Sequence, residues 1–130
     1  MSTGDVRSYR LPFELAAATA ARHQLHDFLT QAGVPDRIVN DAALVVSELV
    51  TNGVEHGRSD DDAIHVSWWV QDSMLTLCVR DDGSEAEPTV TQVDMYAPRG
   101  RGLALVESIC QSLQIDRSEG TQITATLKLG

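Results

Sequence analysis

Val45-Val46-Ser47-Glu48-Leu49-Val50-Thr51-Asn52-Gly53-Val54-Glu55-His56-Gly57 is the stretch on which the reading of this chain turns. Its apolar residues recur with helical spacing, so it reads as an amphipathic helix. Glu48 and Asn52 interrupt that pattern four residues apart, which places both on one helical face. Such a pair on a solvated face would carry no chemistry. Here Leu44, Val45, Val46, Leu49, Val50 and Val54 surround it, and a polar residue where packing favours an apolar one marks a candidate site. A carboxylate can accept a proton. A carboxamide oxygen is a hard ligand suited to Mg²⁺. Gly53 inside the helix costs about 1 kcal/mol against Ala, which calls for a packing or access reason.

Working outward, the helix is expected from Asp36 to about Glu55, with His56-Gly57 closing it. Before it, Leu15 to Gln31 reads as a helix whose stripe is Ala17, Ala20, Ala21, Gln24, Leu25, Phe28 and Leu29. Tyr9 to Glu14 reads as an edge strand, where Pro12 is tolerated. After it, Ile64–Val70 and Met74–Arg80 read as strands joined by the tight link Gln71-Asp72-Ser73. Ser84 to Arg99 lacks periodicity and carries Pro88 and Pro98, the signature of a long functional loop or lid. A helix is expected from Gly100 to about Ser112, then strands over Leu113–Ser118 and Gln122–Leu129. The order predicts an α+β two-layer sandwich: an antiparallel or mixed, mostly antiparallel, sheet with helices on one face.

The chain has 130 residues, the size of one domain, 1–130, with a sizeable core. Its net charge of -9 speaks against a nucleic-acid face, which needs clustered Lys or Arg. Lys128 is the only lysine. That excludes a P-loop and a eukaryotic-type protein kinase, both of which place a lysine on the phosphates. A phosphate cradle must then use backbone N–H groups, a helix N-terminus and arginine. No run is long enough to span a membrane, and the N-terminus lacks a basic, then apolar, leader. A cytoplasmic protein is expected. Cys78 and Cys110 read as isolated buried thiols, and His23 and His26 lack zinc-ligand spacing.

Two further segments carry glycine next to chemistry. Asp81-Asp82-Gly83 ends a strand; its plain reading is a turn, but a carboxylate there can accept an exocyclic amino group while Gly83 lets a base approach. Gly100-Arg101-Gly102-Leu103 opens a helix, a ready site for an anion. Gly120-Thr121 alone reads only as a turn.

In this order the segments resemble the histidine-kinase-like ATPase superfamily, the gyrase, Hsp90 and MutL type with a Bergerat-type ATP-binding fold. Glu48 to Gly57 looks like its N box, Val79 to Gly83 like its first glycine box, Gly100 to Val106 like its second, and Gly120-Thr121 like its closing pair. The single-domain length and Val46-Ser47-Glu48-Leu49-Val50-Thr51-Asn52 look most like bacterial anti-sigma-factor serine kinases. The resemblance implies ATP and Mg²⁺ as cofactors. It makes Glu48 the general base and Asn52 the metal ligand. Asp81 becomes the adenine reader with Gly83 beneath and Thr121 alongside, and Gly100, Arg101, Gly102 and Leu103 the phosphate-binding residues. It implies phosphorylation of a serine or threonine on an anti-anti-sigma (antagonist) partner, control of a sigma factor, and room for a homodimer. The chain departs from the family at Glu85, where a second glycine is usual, and at Gly53, where Ala is usual. Glu85 points to the alternative, a nucleotide-dependent partner-binding module with little or no kinase activity. A third reading is a structural α+β domain with no nucleotide.

Overall fold

The computed structural model describes residues 6–83 and 106–130. Among these residues five strands and two long helices follow in the order β1 (Arg7–Pro12), α1 (Ala16–Gln31), α2 (Asp36–His56), β2 (Ala63–Gln71), β3 (Met74–Asp81), β4 (Ser112–Asp116) and β5 (Thr121–Lys128). They form one sheet in the order β1-β2-β3-β5-β4. Every ladder is antiparallel, so the sheet realises the antiparallel form of the expectation rather than the mixed one.

Period-two alternation decides which face is covered. Ile64, Val66 and Trp68 of β2, Leu75, Leu77 and Val79 of β3, and Ile123, Ala125 and Leu127 of β5 are buried in one cluster with α1 and α2. Their neighbours His65, Ser67, Thr76, Cys78 and Thr124 are half-buried on the other face. The result is two layers with one polar sheet face. Trp68 anchors the β1 side, with its ring centroid 5.0 Å from that of Tyr9 and 6.2 Å from that of Phe28. At the centre, α2 buries Val39, Ala42, Val45, Val46, Leu49 and Val50. Asp36 sits in its first turn, where the helix dipole favours a negative charge.

The β2–β3 link is tighter than the three-residue reading. Gln71 already pairs with Met74, so the turn is Asp72-Ser73 alone. Both have positive φ, 55° and 62°, as a type I′ turn requires. On α1 the stripe shifts: Ala20 and Gln24 are exposed, and Ala18 is buried instead. In the last third, residues 106–109 are helical and Val106 is in the core. That helix stops before Ser112 because Cys110 N–H closes its last bond, to Val106 O, at 2.9 Å. Gln111 N–H then bonds Thr126 O across the sheet. Both cysteines are free and only half-buried, which corrects the expectation of buried thiols. Among the described residues no helix is long and apolar enough to cross a membrane.

Candidate functional site

The candidate site lies where the C-terminal half of α2 packs over the end of β3, whose last residue pairs with the start of β5. Asn52 lies on the inner face of α2 and is 3% exposed. Its Oδ1 is buried and has no hydrogen-bond partner among the described residues. A carbonyl oxygen withdrawn from water without a partner costs about 1–3 kcal/mol. Native proteins keep few such atoms, and each calls for an explanation such as a water, an ion or a catalytic role. Glu48 stands one turn earlier on the same side and is half-buried, so its carboxylate retains access to solvent. Glu48 and Asn52 thus share one side of α2, with Asn52 sequestered and Glu48 half-buried.

Asp81 is the last residue of β3 and is 5% exposed. It lies opposite Thr121, itself buried, at the start of β5, so their side chains share the inner face. Gly83 N–H donates to Asp81 Oδ1 at 2.6 Å. Burial raises the Asp81 pKa above its ordinary 3.8; the bond from Gly83 works against that, Asp82 adds to it, and Arg117 and the Arg58 backbone oppose it. A buried carboxylate with an elevated pKa makes Asp81 a candidate functional residue.

Glycines let the backbone close around Asp81, two against its carboxylate and one against its carbonyl. A Cβ on Gly53 would stand 3.3 Å from Asp81 Oδ2 and 2.7 Å from Ile64 Cδ1. A Cβ on Gly57 would overlap the carboxylate itself, 2.5 Å from both Cγ and Oδ2. Gly120, at φ +78°, packs so closely that its Cβ would reach Asp81 O at 2.5 Å. Gly83, at φ +99°, faces Gly120 in turn. Gly57 and Gly120 were not among the site residues read from the sequence, although both fall inside the quoted motifs. The signal was the presence of glycine; what each glycine makes room for is a three-dimensional fact.

Asp82 has a different task. Its N–H donates to Arg58 O at 2.8 Å, its Oδ2 accepts from Asp60 N–H at 2.6 Å, and its carbonyl accepts from Arg58 Nη2 at 3.2 Å. The loop leaving α2 is thereby clasped to the end of β3. The structure thus brings together Glu48 and Asn52 on α2, and Asp81, Gly83 and Thr121 at the adjoining strand ends. Gly100, Arg101, Gly102 and Leu103, and the lid over 84–99 with Glu85, lie outside the described residues. No group of three or more metal-ligating His, Cys, Asp or Glu side chains occurs among the described residues.

Residues 11–127 match the histidine kinase-like ATPase domain. Among curated proteins, the serine-protein kinase RsbW of Staphylococcus epidermidis is 25% identical, with 95% of this chain and 86% of that protein aligned. The protein of the same name from Staphylococcus aureus (strain JH9) is 23% identical, over 96% of this chain and 87% of its own length. Among solved structures, the RsbU and RsbW domains of Rv1364c from Mycobacterium tuberculosis superpose with a TM-score of 0.76 at 26% identity. That alignment covers 97% of this chain and 33% of the larger one, so the present chain spans a third of it. With the match running from β1 to the end of β5 over the cage around Asp81, the chain belongs to the histidine kinase-like ATPase domain family.

Proposed function

We propose that this chain, taken as one ATPase domain, is an ATP-dependent protein kinase of the RsbW kind. It phosphorylates a serine or threonine of an anti-anti-sigma partner and so governs how much sigma factor is free. The observation that carries the reading is the buried Oδ1 of Asn52, without a hydrogen-bond partner among the described residues and one helical turn from Glu48; the next residue, Gly53, packs toward the buried carboxylate of Asp81. A hard cation satisfies such an oxygen, and Mg²⁺ binds through few protein groups plus phosphates. Asn52 would hold it, and when bound it supplies charge neutralisation at the β- and γ-phosphates. Asp81 accepts the exocyclic amino group of adenine, with Gly83 and Thr121 against the base. Gly100, Arg101, Gly102 and Leu103 are the proposed phosphate cradle.

In the transfer, the partner's hydroxyl oxygen attacks the γ-phosphorus. The bond from that phosphorus to the β,γ-bridging oxygen breaks, ADP departs, and the hydroxyl proton passes to Glu48. The half-exposed setting of Glu48 suits this role, because the hydroxyl must arrive from outside. A positioned carboxylate contributes roughly 10²–10⁴-fold in rate. Glu48→Gln should therefore bind ATP and the partner much as the wild type does while ³²P transfer falls by about that factor. Transfer at the wild-type rate would assign the base elsewhere. If the wild type captures its partner with ATP and never transfers phosphate, the chain is a nucleotide-dependent binding module.

A further inference from the structure

Gly57 closes α2 with φ -98° and ψ -164°. That is extended backbone open to any residue, so conformation does not demand glycine here. Space does. A Cβ would stand 2.5 Å from Asp81 Cγ and Oδ2, and 2.7 Å from Gly53 O. One turn earlier, Gly53 leaves the same Oδ2 only 3.3 Å from where its own Cβ would be. On the opposite side Oδ1 accepts from Gly83 N–H at 2.6 Å. The carboxylate is therefore wedged: the Gly83 and Arg58 backbones hydrogen-bond it, and Oδ2 lies where side chains on Gly53 and Gly57 would stand.

We infer that Gly57 is a positioning residue for base selectivity: the missing side chain is the slot that fixes the plane of the Asp81 carboxylate toward the amino edge of an adenine. This rests on the proposed role of Asp81 as the base reader. Hydrogen bonds weaken steeply with misalignment. A methyl group at position 57 turns or lifts the carboxylate and degrades the one contact that tells an amino purine from an oxo purine. Substrate parts that do not touch Asp81 are unaffected.

The test is calorimetric titration of the full chain, in Mg²⁺, with ATP and with inosine triphosphate, which carries an oxo group in place of the amino group. The variants are Gly57→Ala, Asp81→Ala and the double substitution, with folding checked by circular dichroism. Gly57→Ala should weaken ATP by roughly 10- to 150-fold, the loss of a charged hydrogen bond, and move inosine triphosphate less than about threefold. In the Asp81→Ala background the same substitution should leave ATP affinity nearly unchanged, since coupled residues are not additive. Equal losses for both nucleotides, with or without Asp81, would assign Gly57 to the helix end alone and overturn the inference. Should Gly57→Ala fail to fold, the double variant decides. Recovery of the fold supports a clash with the carboxylate; continued failure places the clash at Gly53 O and overturns it. If Asp81→Ala leaves ATP affinity intact, it is the reading of Asp81 that falls, and the inference with it.

Discussion

At the scale of the residue, the burial of Asp81 costs the fold stability. Its folded-state pKa lies above the unfolded value of about 3.8, chiefly through burial. A raised pKa means the folded form binds the proton more tightly. The fold is therefore favoured below the unfolded pKa and loses that contribution as the pH rises through the folded one. Asp81→Asn removes the buried charge and keeps an oxygen for Gly83 N–H. At neutral pH it should unfold at higher urea than the wild type while binding ATP roughly 10- to 150-fold more weakly. The stability gap should close as the pH falls toward 3.8. A variant less stable than wild type at pH 7 would contradict this account. Gly53 offers a second case. Alanine there gains about 1 kcal/mol of helix propensity but meets Ile64 Cδ1 at 2.7 Å. Ile64→Val deletes that atom. Gly53→Ala should therefore be more favourable in the Ile64→Val background than in the wild type, which a denaturation cycle over the four proteins measures.

At the scale of the element, the β2–β3 turn carries two L-residues at positive φ, Asp72 and Ser73. Left-handed conformation costs a residue with a Cβ about 1 kcal/mol or more. Ser73→Gly should therefore stabilise the hairpin by up to about 1 kcal/mol without touching nucleotide affinity, checked by paired urea melts and calorimetry. Elements were the most legible part of this chain. Apolar periodicity gave α2 and the three inner strands, because a half-buried element must repeat with its own period. The motif order named Glu48, Asn52, Asp81, Gly83 and Thr121 together through the family resemblance; that Asp81 and Thr121 pair at one end of the sheet is seen in the structure. What was not legible follows from packing. Ala18 rather than Ala20 is buried because the axis of α1 is set by its neighbours, not by its own sequence. The helix near residue 110 ends early because Gln111 N–H has a partner across the sheet in Thr126. Gly57 and Gly120 read only as turn glycines until the distance to Asp81 is known.

At the scale of the whole molecule, the net charge of -9 opposes an anionic ligand. Nucleotide association should speed up as salt shortens the screening length from about 30 Å at 0.01 M to about 8 Å at 0.15 M. Stopped-flow rates that instead fall with salt would mean that arginines near the phosphates outweigh the overall field. Binding also feeds back on the fold, since ATP–Mg²⁺ at a hundred times its dissociation constant adds about 2.7 kcal/mol. A thermal shift that disappears in Asn52→Ala, in a variant still folded without nucleotide, would tie that gain to the α2 oxygen.

The close approach of α2 to Asp81 has an electrostatic consequence. A helix carries about half a negative charge at its C-terminus, where the last carbonyls lack partners. Here that end, Gly53 to Gly57, abuts a carboxylate rather than a cation. Two acceptor-rich groups thus face one small space; Gly83 N–H and the Arg58 backbone serve the carboxylate, and Gly57 N–H serves Gly53 O at 2.8 Å. The corner is therefore richer in acceptors than in donors. Any ring edge that enters gains by presenting N–H and loses by presenting a lone pair, and the polarity of a 21-residue helix stands behind that choice.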